Sequence, residues 1–269
     1  MSKGKILSYA VMTIISSTAL AGAMGETKTC PDLGCMPWFV EFGTGVSWST
    51  KSHINPDPSR WDPANEGYNS TLGNEPLYMA GIGYTINPLL SVDANYTFRG
   101  IYKYRKHQTA LGASAVNPLG NKTRYFDLIS NSLMFSGTLY GQGWSESLAY
   151  SMGNYGIIQP FLGGGVGVAY NTVSNFRTVT DNTNFVTSVL QDYTKASFAW
   201  QLNAGLELKK NRFGLDLGYR YFNAGSFLSN NALITRVNSV GTPITTNLIP
   251  AWSSNLSANE LYLTAKIAF

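Results

Sequence analysis

His53 and His107 are the only histidines in the chain, so they are its only ready general bases near neutral pH. His53 stands near Asp57, and His107 follows a basic stretch with Lys103, Arg105 and Lys106. Spacing gathers no serine–histidine–acid set around either one, and no His/Cys/Asp/Glu pattern matches a metal site. Both histidines read as solvated loop residues. The expectation is a non-enzyme with no catalytic residue, cofactor or metal.

Cys30 and Cys35 are the only cysteines, separated by Pro31-Asp32-Leu33-Gly34. In an oxidising compartment so close a pair closes a small loop as a disulfide. Free thiols are the alternative. With no histidine nearby, two thiols cannot complete a tetrahedral zinc site from local residues.

The compartment is set by the amino terminus. Lys3 and Lys5 precede a mostly apolar stretch, Ile6–Ile15, and small residues follow at Ala19, Ala21 and Ala23. That is the layout of an export signal, with cleavage expected after Ala21 or Ala23. The division is then 1–23 signal peptide, 24–37 periplasmic segment with the cysteine pair, and 38–269 barrel. Beyond the signal no apolar run is long enough for a membrane helix. Charged residues are 13% of the chain, about half the usual ~25%, and aromatics are also 13%, with 27 Gly. The net charge of +4 falls to about +2 without Lys3 and Lys5, too little to indicate nucleic-acid binding.

Two-faced segments recur along the chain. In the terminal Glu260–Phe269, Leu261, Leu263, Ala265, Ile267 and Phe269 share one face. Seven more segments are predicted: Trp38–Trp48, Leu77–Tyr84, Leu90–Arg99, one within Arg124–Leu139, Gln159–Tyr170, Phe198–Lys209 and Phe213–Tyr221. In the fourth, Asp127 and Asn131 share the parity of Ile129 and Leu133, which predicts a bulge or a late start. Eight strands of membrane-crossing length must close on themselves, because lipid satisfies no open edge. The fold class is therefore all-β, an eight-stranded antiparallel transmembrane β-barrel with an up-and-down meander. Asn87-Pro88 and Asn211-Arg212 make tight periplasmic turns, and Tyr140–Ile158 is a longer periplasmic link. The connections 49–76, 100–123, 171–196 and 223–259 read as long extracellular loops. Trp38, Trp48, Tyr84, Tyr170 and Tyr221 suit two aromatic girdles. A soluble lipocalin-like barrel would instead turn the apolar faces inward and put the charges in water.

With the apolar faces outward, Glu41, Asp93, Arg99, Glu207, Asp216, Arg220 and Lys266 point into the lumen. An eight-stranded lumen is just wide enough for side chains to fill. Buried charges must pair, so these residues form either a plug or the lining of a narrow pore.

The run Gln159-Pro160-Phe161-Leu162-Gly163-Gly164-Gly165-Val166-Gly167 resembles the small outer-membrane β-barrel superfamily, the OmpA/OmpX/OmpW-like porin-family proteins. So do Gly205-Leu206-Glu207-Leu208, Phe213–Tyr221 and the terminal Phe269. The resemblance implies an outer-membrane location in a Gram-negative bacterium. It makes Phe269 the signal read by the barrel-assembly machinery. Some such barrels process lipid A, which here lacks a placed base. The peptidoglycan-binding domain of OmpA-type proteins has no counterpart after the last strand, so cell-wall anchoring is not expected. The expected role is a surface protein, adhesin- or antigen-like, holding a host or cell-surface ligand by its loops, with a narrow pore as the alternative. Expected partners are outer-membrane lipid and lipopolysaccharide. Arg99–Lys106, with Tyr102 and Tyr104, reads either as a contact to that lipid's phosphates or as an ordinary strand extension.

Overall fold

The computed structural model describes residues 36–53, 69–108, 122–180, 185–189, 191–230, 232–237, 243–249 and 251–269. The export segment, its cleavage points Ala21 and Ala23, and the Cys30–Cys35 pair lie outside them. Among the described residues no helix is long and apolar enough to cross a membrane, which leaves crossing by strands open.

Eight strands form the wall: β1 Trp38–Ser49, β2 Asn74–Thr85, β3 Leu90–Arg99, β4 Lys122–Tyr140, β5 Ile157–Thr180, β6 Tyr193–Lys210, β7 Phe213–Leu228 and β8 Ser253–Ala268. Each pairs antiparallel with its neighbours in sequence, and β8 closes on β1 from Phe39↔Ala268 to Ser49↔Ala258. The ring leaves no open edge along the paired span, as a sheet in lipid requires.

The turns at one end follow from their residues. The Asn87 side-chain oxygen accepts the N–H groups of Leu89 and Leu90, both at 2.9 Å, closing the β2–β3 turn. Asn211 adopts φ 51°, a left-handed conformation that asparagine tolerates, in the β6–β7 turn. Between β4 and β5, residues 141–156 form short helical turns and a two-residue strand, Tyr150–Ser151, laid on β5. That link exposes Trp144, Tyr150 and Tyr155 at the turn end.

Through the middle of the wall the outward side chains are apolar and exposed. Phe42, Ile82, Tyr96, Phe135, Leu162, Phe198, Leu202, Leu217 and Leu263 are each more than 40% exposed. A continuous apolar belt of this kind belongs against lipid rather than water. Trp38 meets Tyr84 edge-on at 5.0 Å near the turn end, and Trp200 lies 5.4 Å from Tyr221 near the other. The lumen is polar where the belt is apolar, which excludes the lipocalin-like arrangement.

The four connections at the far end differ from the expected loops: much of their described length is strand. β3 breaks at Gly100–Ile101 and resumes as Tyr102–Gln108, paired with β4. β5 folds back onto Phe185–Val189, Ala232–Val237 pairs with Pro243–Ile249, and Lys51–His53 pairs with Asn69–Thr71. The physical reason is an exchange of faces. Above the belt the alternation continues, but the apolar residues now point inward. Tyr102, Tyr104, Phe126, Leu128, Val173, Phe176, Phe227, Trp252 and Leu256 join in one buried cluster. Lys103, Arg105 and Arg177 are outside. This is the pattern of a sheet wall standing in water.

β4 runs unbroken with Asp127, Ile129, Asn131 and Leu133 all facing outward, so the bulge or late start expected there is absent; the irregularity in the β4–β5 pairing has its extra residue on β5. Tyr125 opposes Arg177 and Asp127 opposes Ser174, so β5 spends three residues against two. Asn175 takes φ 52° there and donates its amide to Asp127 at 2.7 Å.

Candidate functional site: the barrel lumen

All seven charges singled out in sequence, Glu41, Asp93, Arg99, Glu207, Asp216, Arg220 and Lys266, lie on inward positions of β1, β3, β6, β7 and β8. Strand register sorts them into two tiers. The tier at the turn end centres on Lys266. Its ammonium lies 2.6 Å from Asp216, 3.9 Å from Glu207, and donates to the Tyr140 hydroxyl at 2.8 Å. Glu207 also accepts from the Gln159 amide at 2.6 Å, and the Gln159 oxygen accepts the Gln142 N–H at 3.0 Å. A chain of hydrogen bonds and an ion pair therefore runs from the turn-end link through Gln159 and Glu207 to Lys266.

The second tier centres on Glu260, the first residue of the terminal alternating segment Glu260–Phe269. It is fully buried. One carboxylate oxygen accepts from Arg99 Nε at 2.6 Å and Ser47 Oγ at 2.8 Å. The other accepts from Arg220 Nε at 2.6 Å and Arg99 Nη2 at 3.4 Å. Arg99 also donates to Ser132 at 2.9 Å and lies 3.5 Å over the Phe222 ring. Arg220 therefore pairs with Glu260, not with Asp216 four residues before it. The signal for Glu260 was its parity with Lys266, at 260, 262, 264 and 266.

Between the tiers, Glu41 and Asp93 face a cavity of about 30 Å³, lined also by Asn95, Asp216, Arg220 and Lys266. That is room for about one water. Asp93 accepts from the Asn95 amide at 2.7 Å, while Gln201 donates to Ser136 at 3.0 Å and Asn203 to Tyr262 at 3.2 Å. Large rings complete the filling: Phe39, Tyr140, Phe161 and Tyr262 are all buried. The inward glycines make room for them. A Cβ on Gly218 would collide with the Tyr262 ring, and one on Gly83 with Phe39.

The other sequence candidates lie elsewhere. The His107 side chain is exposed on the outer face of Tyr102–Gln108. The side chain of His53 is outside the described set. Phe269 is exposed beside the β1–β8 seam, its N–H donating to the Trp38 carbonyl at 2.9 Å. Among the described residues no group of three or more His, Cys, Asp or Glu could hold a metal ion.

No protein-family model matches the chain, and no curated protein matches it. Solved structures similar to it include Neisserial surface protein A, at 14% identity, 86% of this chain, 97% of that one and a TM-score of 0.42. The outer membrane protein OprG from Pseudomonas aeruginosa matches at 13% identity, 86% and 96% coverage and a TM-score of 0.44. The outer membrane protease OmpT from Escherichia coli matches at 12% identity, 87% and 97% coverage and a TM-score of 0.37. By its own strand number, closure and inverted polarity, this chain has the fold of a small outer-membrane β-barrel.

Proposed function

We propose that the protein is a surface protein of the outer membrane with a plugged lumen, acting through the strand-built wall and loop tips above the membrane. The observation that carries the plug is Glu260, held between Arg99 and Arg220 with essentially no exposure of any of the three. Arg99 reaches it from β3, three strands away around the ring. A second bridge, Lys266 to Tyr140, supports the same reading one tier lower. Surface binding fits the amount of chain above the belt, where β4 and β5 stay paired out to Lys122↔Thr180. The loops would engage a host or cell-surface ligand, and Phe269 would serve the barrel-assembly machinery. Export through residues 1–23 and a Cys30–Cys35 disulfide belong to the same reading, and mass spectrometry of the mature protein tests both.

Planar-bilayer recording of the folded protein is the decisive measurement. The plug gives no steady conductance; steady, ion-selective conductance would replace it with the narrow pore. The pore has one observation in its favour, the polar cavity of about 30 Å³ between the tiers. The reading is also non-enzymatic: His107 is outside the wall while Glu41, Asp93, Glu207 and Asp216 are inside. Unchanged lipid A masses on expression are expected, and a new mass would overturn that part.

A further inference from the structure

Above the lipid-facing belt, the outer face of β4 and its neighbours presents a row of unusual composition. Tyr125 on β4 opposes Arg105 on one side and Arg177 on the other. The two guanidinium carbons lie 5.2 Å and 4.8 Å from the same ring centroid. Both arginines are exposed, and neither has a carboxylate partner among the described residues. Lys103 is exposed one step below, and Asp127 is engaged by the Asn175 amide at 2.7 Å. Two like charges fixed astride one ring repel each other, and an anion bridging them removes that repulsion.

We propose that Arg105 and Arg177, set astride Tyr125, bind phosphate groups of a multiply phosphorylated glycolipid in the outer leaflet of the membrane. Arginine presents a planar donor fork that matches phosphate, and the ring holds both forks in place. Height selects the lipid. The exchange of faces at Ile101 and Ile129 marks the top of the belt, and Tyr125 is four residues further along β4 than Ile129. Four residues advance about 13 Å along a strand, or roughly 9 Å along the membrane normal at a ~45° tilt. A phospholipid headgroup layer is only about 5–8 Å deep. A phosphate at the height of this row needs a thicker sugar headgroup to carry it. The inference rests on the reading of the chain as an outer-membrane barrel.

The test uses the whole folded protein in detergent, with lipid retention read by native mass spectrometry. The probes are phosphorylated lipopolysaccharide, the same material after phosphatase treatment, phosphatidylglycerol and inorganic phosphate. Wild type should retain phosphorylated lipopolysaccharide at least tenfold better than the Arg105→Gln, Arg177→Gln double variant, and better than it retains the phosphatase-treated form. Lys210→Gln, at the opposite end of the barrel, should match wild type. Equal retention by the double variant would overturn the proposal. So would phosphatidylglycerol or inorganic phosphate binding as well and with the same arginine dependence. Heat-modifiable gel migration separates the two readings: its absence in wild type would overturn the barrel and this proposal with it.

Discussion

Lys266 on β8 and Tyr140 on β4 are joined at 2.8 Å although their strands stand opposite each other in the ring of eight. A contact between opposite walls fixes the lumen's width at that level. The same ammonium holds Asp216 at 2.6 Å, so one lysine serves both bridging and charge balance.

Replacing Lys266 with Ala should therefore destabilise more than removing the hydroxyl it reaches. Lys266→Ala leaves Asp216 and Glu207 buried without their cation, a loss of roughly 3–5 kcal/mol. Tyr140→Phe removes one charge-assisted hydrogen bond, about 1.5–3 kcal/mol. Urea unfolding in micelles measures both, and equal effects would mean that Lys266 is solvated.

The Glu260 tier makes a sharper prediction. Glu260→Ala brings Arg99 and Arg220 together without their shared carboxylate and should cost roughly 3–5 kcal/mol. Replacing all three with apolar residues of similar volume (Glu260→Leu with Arg99→Met and Arg220→Met) should restore much of that loss. If the triple variant unfolds as readily as Glu260→Ala, the arginines hold the wall through contacts other than this carboxylate.

On the outer face, Leu202 and Leu217 are exposed at 57% and 52%. Phe at either position should leave folding unchanged, while Arg near the midplane costs roughly 2–4 kcal/mol. Heat-modifiable migration and membrane yield report the difference. Normal folding of both Arg variants would place this face in water.

Phe126 tests the upper wall separately. Its ring stacks on Tyr104 at 4.5 Å and on Phe176 at 6.0 Å. Phe126→Ala should cost about 3–5 kcal/mol of local stability. The expected result is protease cleavage around residues 102–128 and 171–180 in a barrel that still resists denaturation as a unit. Protection equal to wild type would mean that the aromatic cluster does not hold the wall.

The membrane-crossing strands were legible because lipid and a polar lumen impose opposite demands on alternate residues. The periodicity of Leu90–Arg99 gives the strand's observed bounds for that reason, while Phe198–Lys209 is the membrane-facing part of a longer strand, Tyr193–Lys210. Their continuations were not legible. Phe98 faces out and Tyr102 and Tyr104 face in, so a search for outward apolar positions ends where the solvent changes. Glu260 sits at such a change, between outward Asn259 and Leu261, so the apolar alternation alone marks it as a boundary. Its inward parity could be counted, but its partner could not. Arg99 is 161 positions away, and the stagger at which the ring closes decides that they meet.

The exchange of faces at Ile101, Ile129 and Leu261 also acts as a depth gauge. Sliding the barrel up by one inter-strand row would lift apolar positions into water, and sliding it down would draw Lys103 into hydrocarbon. Neither is offset, because the strands cannot change which residues face out. Vertical freedom is therefore small, and a bilayer of different thickness must deform around this protein rather than let it ride higher or lower.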